Sequence, residues 1–205
     1  MSTQPKHRYT LEEYFELERA SEVKYEYWDG EVYAMSGASP EHEEVFGNVF
    51  TFLRNQLRGR PCHVFSSNLR VKVPVAPPYR YPDLTALCGQ PQYEEIGGVR
   101  VLTNPALIVE ILSPSTEACD RGDKFTQYKS IPSFGEYLLI AQHRPHTSHY
   151  VKQPSGAWSY EEANDISATL LLPTLDCSLP LSEVYQGVEF PPPESIRALY
   201  PRIEE

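Results

Sequence analysis

The sequence predicts an α/β fold, with a mixed central sheet that packs against helices. Apolar residues recur at helical spacing after Ser39, which indicates one long helix. Two short apolar runs, 105–112 and 136–141, are typical of buried strands. A helix signal lies between these two runs, near Asp120. In chain order, the predicted core over about 40–142 is helix, three strands, helix and strand, with added hairpins.

Length and composition predict one ordinary domain. The chain has 205 residues, of which 40% are hydrophobic and 22% are charged. We expect a single domain over 1–205, with an N-terminal helix and hairpin over 10–36 and C-terminal strands and a tail over 146–205. The N-terminal sequence is polar and then amphipathic, and no run approaches the roughly 18 apolar residues of a membrane span. We therefore expect a cytoplasmic protein with no membrane partner.

Charge and cysteine usage restrict the function classes. The formal net charge is −10, which argues against a protein that coats nucleic acid, because phosphate binding depends on lysine and arginine. Local basic groups or bound divalent ions could still offset the acidic remainder. The four cysteines are widely spaced, without a CxxC pair. We expect them to be reduced, with neither a structural zinc site nor a disulfide framework.

The first elements carry clear terminal signals. Residues 10–13, TLEE, form a capping box and predict a short helix to about Arg19. Asp29-Gly30 lies between two strand-like runs, which is typical of a two-residue hairpin. Ser39-Pro40 is a strong helix start, and Gly59 follows the expected end of that helix. His42 falls on the apolar side of this helix.

The middle of the chain predicts two strands and a loop. The segment 68–75 alternates, with Arg70 and Lys72 on one face, and Pro77-Pro78 should make the turn after it. A strand from Arg80 to Cys88 should follow, with Pro82 marking an edge or a strand end. We expect a loop over 89–104.

The second half predicts a crossover followed by strands. The strand at 105–112 should lead through a turn to a helix over about 120–131, which Asp120 caps. After the strand at 136–141, the sequence predicts hairpin-like strands, a short helix near residues 181–188, and a surface tail beginning at the prolines 191–193.

Two carboxylates lie in segments that should be buried. Glu110 interrupts the most apolar run of the chain, and Asp83 lies in a strand whose other face is apolar. A buried charge is costly unless it is paired or binds a metal. If the strands are neighbours, both acids face one hollow and suit Mg²⁺ or Mn²⁺, which prefer oxygen ligands. The backbone carbonyl of Ile111 could complete the metal shell, and Lys124 could orient an attacking water.

These residues resemble the PD-(D/E)XK nuclease superfamily, and within it the Uma-type restriction endonucleases. The resemblance covers about 8–187, and its most specific part is the string LTNPALIVEILSPSTEACDRGDKF over 102–125. It matches Asp83 to the motif aspartate and Glu110 to the second acid. In the superfamily, the catalytic lysine stands two residues after the second acid, and that position is Leu112 here. In Uma-type chains the lysine lies on the next helix, so the resemblance assigns this role to Lys124.

The resemblance implies a Mg²⁺- or Mn²⁺-dependent endonuclease that hydrolyses DNA and acts as a homodimer. Arg70 and Lys72 are expected to contact phosphate, and His42 to border the metal site. Two alternatives stay open. The fold could serve as a catalytically silent binding or assembly module, which the net charge favours, or the substrate could be RNA or a small phosphodiester.

Each candidate residue also has a plain structural interpretation. Asp83 could stabilise a turn after Pro82. Glu110 could pair with a buried arginine such as Arg70. Lys124 could be a solvated lysine on an exposed helix face, and His42 could be a core histidine.

Overall fold

The computed structural model describes residues 7–35, 37–76 and 78–192. Its helices are α1 (Leu11–Ala20), α2 (Pro40–Gln56), α3 (Glu117–Cys119), α4 (Phe125–Tyr128) and α5 (Leu181–Val184), and a π-helical turn (Asp120–Lys124) joins α3 to α4. Its strands are β1 (Tyr25–Trp28), β2 (Glu31–Ala34), β3 (Cys62–Ser66), β4 (Leu84–Cys88), β5 (Tyr93–Ile96), β6 (Val99–Leu102), β7 (Leu107–Leu112), β8 (Glu136–Ala141), β9 (Thr147–Lys152), β10 (Trp158–Ala163), β11 (Thr169–Leu172) and β12 (Cys177–Pro180).

A six-stranded mixed sheet in the order β10-β9-β8-β7-β4-β3 forms the centre of the molecule. Its neighbours are antiparallel except β7 and β8, which are parallel. A parallel pair needs a crossover, and the helical segment 117–128 supplies it between β7 and β8. The predicted α/β class and the predicted core order are therefore confirmed.

The sheet has a hydrophobic core on each face. Alternate residues of β7 point to opposite faces. Val109 and Ile111 pack in the cluster that includes the apolar face of α2, whereas Ile108 and Leu112 pack in the cluster that includes Tyr128 of the crossover. By this alternation Glu110 points to the crossover face, although every residue of β7 is buried.

The predicted helix N-caps and the predicted hairpin turn of the N-terminal elements are present. The Thr10 side chain accepts a hydrogen bond from the Glu13 amide, and the Glu13 carboxylate accepts one from the Thr10 amide. Ser39 caps α2 and accepts from the amide of His42. Asp29 and Gly30 both have positive φ, as a type I′ hairpin turn requires.

Several sequence-based boundaries were wrong. Residues 68–75 do not form a strand, since only Val71 makes isolated bridges, to Arg80 and to Leu102. The strand expected from Arg80 begins at Leu84, so Asp83 immediately precedes it. The loop expected over 89–104 contains the hairpin β5–β6, which turns at Gly97-Gly98. The crossover helix begins at Glu117, three residues before the expected Asp120.

The expectation of four reduced cysteines was also wrong. Cys62 and Cys88 form a disulfide between β3 and β4, whereas Cys119 and Cys177 are free. The two bonded residues are 26 apart in sequence but are direct cross-strand partners, with their Cα atoms 3.9 Å apart. Strand register, which spacing in the sequence does not show, brings them together.

Two expectations fall outside the described residues, namely Pro77 in the turn at Pro77-Pro78 and the tail from residue 193 onward. In the part of the chain that the structure describes, no helix is long and apolar enough to cross a membrane.

Candidate active site

The carboxylates of Asp83 and Glu110 meet where β4 begins beside β7. Leu84 pairs with Val109, so Asp83 and Glu110 are the next residues to face each other across the antiparallel pair. The Asp83 amide donates to Glu110 Oε2 at 3.2 Å, and the Ile111 amide donates to Asp83 Oδ2 at 2.7 Å. Together these bonds hold Asp83, just before β4, beside Glu110 in the middle of β7.

Lys124 reaches the same point from the π-helical turn of the crossover. Its Nζ lies 2.8 Å from Asp120 Oδ1 and 3.4 Å from Glu110 Oε1. All three side chains are largely buried, and Asp120 is only 1% exposed. Asp120, which the sequence suggested was a helix cap, is therefore a third buried carboxylate and a partner of the lysine.

Burial and mutual charge perturb the acids and the lysine. Burial raises the pKa of Glu110 to about 8; Lys124 opposes this shift, whereas the carboxylates of Asp120 and Asp83 add to it. Burial alone would lower the pKa of Lys124, but Glu110, Glu26 and Asp120 outweigh it, and the pKa lies well above its usual value. Lys124 is therefore a permanent cation at neutral pH and serves as a donor rather than a base.

Two further side chains fix the orientation of the acids. The Tyr128 hydroxyl donates to Glu110 Oε1 at 2.7 Å. His42 Nε2 lies 3.3 Å from Asp83 Oδ2. Burial would lower the pKa of His42, but its hydrogen bond to Asp83 and the charge of that carboxylate raise it overall. Ser39 starts α2 and so places His42 in the first turn of that helix, beside Asp83.

Arg70 and Lys72, which we expected to contact phosphate, are engaged elsewhere. An Arg70 guanidinium nitrogen lies 3.0 Å from Glu18 Oε2, and Lys72 Nζ lies 2.5 Å from Glu94 Oε2. Neither is among the described residues that line the cavity. The predicted role therefore lacks support in the arrangement, and the suggested pairing of Arg70 with Glu110 is also wrong.

The acids and Lys124 open into a cavity of about 770 Å³. One wall comes from the site itself, including Ser113 and Thr116 before the π-helical turn. Another part of the lining comes from the N-terminal hairpin β1–β2, which the sequence placed outside the core. The cavity is therefore completed by residues distant in sequence, which no local motif could have indicated.

Comparisons with known proteins agree with this fold. The structure is similar to that of "a putative nuclease belonging to DUF820 from Anabaena variabilis", with a TM-score of 0.65 and 17% identity, over 80% of this chain and 91% of that chain. At this identity the likeness is one of fold. Residues 11–182 match the model of the Uma2 family, described as "Putative restriction endonuclease".

Two Synechocystis proteins are similar in sequence. The "Uncharacterized protein slr1290" is 32% identical over 182 residues, covering 87% of this chain and 92% of the relative. The "Uncharacterized protein sll1609" is 33% identical over 153 residues, covering 75% and 86%. The fold and the family match thus define a restriction-endonuclease-like protein. The chain belongs to the Uma2 family.

Proposed function

We propose that this protein is a Mg²⁺- or Mn²⁺-dependent nuclease that hydrolyses phosphodiester bonds of DNA. The observation that carries the proposal is the convergence of Asp83, Glu110 and Lys124 at the floor of one cavity. The name of the family and that of the Anabaena relative support the same reaction class.

The donor set fits a hard divalent cation. Two carboxylates from neighbouring strands lie side by side, and Glu110 is only 2% exposed, so its charged form needs nearby positive charge; Lys124 supplies one charge, and a bound metal would add to it. Among the described residues, no group of three or more His, Cys, Asp or Glu side chains is arranged to hold a metal ion. Mg²⁺ sites typically use one or two carboxylates, waters and substrate phosphate rather than an all-protein cage. Asp83, Glu110 and the predicted Ile111 carbonyl would hold the ion.

The side chains of this site have separate roles in the proposed reaction. When bound, the ion supplies a more acidic water and offsets charge on the phosphate. Lys124, which stays protonated, donates to the attacking water or to a phosphate oxygen as negative charge develops there. Tyr128 and His42 hold Glu110 and Asp83 in place.

Calorimetry with Mn²⁺ tests the metal site without a choice of substrate. We expect wild-type protein to bind Mn²⁺ and Asp83→Asn to lose that binding. Asp123→Asn is the matched control, because Asp123 is exposed in the same π-helical turn and lies outside the cavity lining. Equal binding by wild type and Asp83→Asn would contradict the assignment.

A cleavage assay then tests turnover and substrate. Wild type, Asp83→Asn and Lys124→Ala are incubated with single-stranded DNA, duplex DNA, RNA and a small phosphodiester in Mn²⁺. We expect DNA cleavage by wild type only. Metal binding without cleavage of any of these would favour the binding-module alternative. Sedimentation velocity of the same preparation tests the expected homodimer.

A further inference from the structure

One face of the N-terminal hairpin is turned towards the active-site cavity. Glu26 pairs directly with Tyr33, and the Met35 amide donates to the Lys24 carbonyl. Opposite residues of an antiparallel pair share a face, as do residues two apart along one strand. Lys24, Glu26, Tyr33 and Met35 therefore lie on one face, and all four line the cavity.

The other face anchors the hairpin. Tyr25, Tyr27 and Val32 pack against a cluster of largely aromatic buried side chains, and Met35, just after β2, also contacts that cluster. The hydroxyl of Tyr14, a member of that cluster, donates to the Tyr25 carbonyl at 2.7 Å. The hairpin is thus an anchored wall of the cavity that the acids also line.

Tyr33 gives this wall an aromatic surface in contact with solvent. Its side chain is 50% exposed although it lies on a strand, and its hydroxyl donates to the carboxylate of Glu31 two residues earlier. That bond places the hydroxyl end of the ring beside Glu31, along the hairpin. Val23, also exposed, extends the apolar surface along the same wall. An exposed, oriented aromatic ring beside a phosphate-reactive centre is suited to stacking on a nucleobase.

We propose that Tyr33 stacks on an unpaired base next to the scissile phosphate, so that the substrate is single-stranded. This inference rests on the nuclease function proposed above and specifies its substrate. In this arrangement the phosphate lies against Asp83, Glu110 and Lys124, and the attached nucleoside extends to the hairpin wall. Lys24, whose ammonium donates to Asn68 Oδ1 at 2.6 Å, adds a positive charge to that wall.

The size of the cavity agrees with a single strand. Its volume of about 770 Å³ is within the range of about 300–1,000 Å³ typical of sites that enclose small ligands. Such a space can hold a nucleotide and its neighbour. In a duplex, moreover, the base faces are covered by adjacent base pairs, and a ring such as Tyr33 could reach one only after unstacking.

Fluorescence anisotropy with labelled oligothymidylate tests the proposal. Binding is measured in Ca²⁺ for wild type, Tyr33→Leu, Tyr33→Phe and Tyr160→Leu, and compared with a duplex of equal length. Tyr160 is a matched control, since it is also 50% exposed and donates to a glutamate two residues away, but it lies on the far edge strand β10. Thermal unfolding shows that each variant is folded.

We expect wild type to bind the single strand more tightly than the duplex. Tyr33→Leu should weaken single-strand binding about tenfold, which is the range for loss of one base stack. Tyr33→Phe, which keeps the ring, and Tyr160→Leu should stay within about twofold of wild type by the same measure. Unchanged binding by Tyr33→Leu, equal losses in Tyr33→Leu and Tyr33→Phe, tighter duplex binding, or no single-strand binding by wild type would overturn the proposal.

The two proposals can fail separately. Tyr33-dependent binding of single strands without Mn²⁺ binding at Asp83 would retain the stacking site and reject the nuclease. Mn²⁺-dependent cleavage with unchanged binding by Tyr33→Leu would retain the nuclease and reject the stacking site.

Discussion

Asp120 acts on the candidate site through Lys124. Its carboxylate lies 2.8 Å from the lysine Nζ, and both side chains are largely buried. Asp120→Asn should leave the protein folded, because the amide is isosteric and Glu110 remains beside the lysine. We expect Mn²⁺-dependent cleavage to fall by about 10- to 100-fold, the usual cost of losing a group that orients a metal-site residue.

The pH profile separates this positioning role from a general structural effect. The Asp120 carboxylate contributes to the raised pKa of Glu110, so its neutralisation should lower that pKa. The acid limb of the cleavage profile of Asp120→Asn should therefore move to lower pH. Asp123→Asn, in the same turn but exposed, should retain both the rate and the profile. An unshifted profile in Asp120→Asn would show that Asp120 supports only the fold.

Glu110 should make the metal-free protein less stable as pH rises. Its pKa is about 8 in the folded protein against an ordinary 4.5, so the folded state holds the proton more tightly than the unfolded state. The contribution of Glu110 to the free energy of unfolding is therefore complete below pH 4.5. It is lost as the pH rises towards about 8, by up to about 1.4 kcal/mol per pH unit for one proton. Urea unfolding at several pH values in EDTA measures this loss.

The variant Glu110→Gln isolates the contribution of Glu110, since other groups also titrate in this range. Its stability should depend less on pH than that of wild type between 4.5 and 8. Mn²⁺ should also reduce the loss in wild type, because the ion binds the ionised carboxylate. Parallel pH profiles for wild type and Glu110→Gln would rule out a raised pKa at Glu110.

At the residue level, the sequence identified the acids better than their partners. Glu110 could be singled out because a charge inside an apolar strand requires compensation. Asp120 and Tyr128 gave no such signal. Asp120 lies in a polar, turn-like segment, and its burial depends on how the π-helical turn packs over the sheet.

The disulfide between β3 and β4 is an element-level feature with a measurable consequence. Unfolded but unreduced protein should show two reactive thiols, Cys119 and Cys177, and reduction should expose four. Because the bond closes a loop between residues 26 apart, its loss should reduce the free energy of unfolding by about 3 kcal/mol. Urea unfolding of Cys62→Ala/Cys88→Ala tests this. Cys119→Ala should match wild type, and four thiols without reductant would contradict the bond.

The elements themselves were predictable where local signals were strong. Capping at Thr10 and Ser39, and the Asp29-Gly30 turn, correctly located α1, α2 and the first hairpin. The hairpin β5–β6 was missed although Gly97-Gly98 is a known turn pair, because its first strand, β5, is exposed and charged and lacks an apolar alternation. Residues 68–75 alternate like a strand, yet they bridge to other segments only at Val71.

At the scale of the whole molecule, the negative net charge of the protein opposes the binding of a nucleic acid, which is also negatively charged. The formal net charge is −10. Among the described residues that line the cavity, the lysines and arginines are Lys24 and Lys124. Affinity should therefore come mainly from stacking and from the metal, with few direct ion pairs to phosphate. The number of direct contacts to phosphate can be measured from the salt dependence of binding, because each phosphate that a lysine or arginine neutralises releases counterions.

Single-strand binding should consequently depend only weakly on salt. For two phosphate contacts, the slope of log K against log salt concentration is about −1.4 on single strands. Anisotropy titrations of oligothymidylate over a range of KCl concentrations, at one fixed concentration of Ca²⁺, give this slope. A slope steeper than about −3 would require more than four such contacts and hence a basic surface outside the cavity.

Arg54 and Arg58, exposed near the end of α2, are the first candidates for that surface. Arg54→Ala/Arg58→Ala would then flatten the slope, whereas with the shallow slope expected here the double variant should bind like wild type.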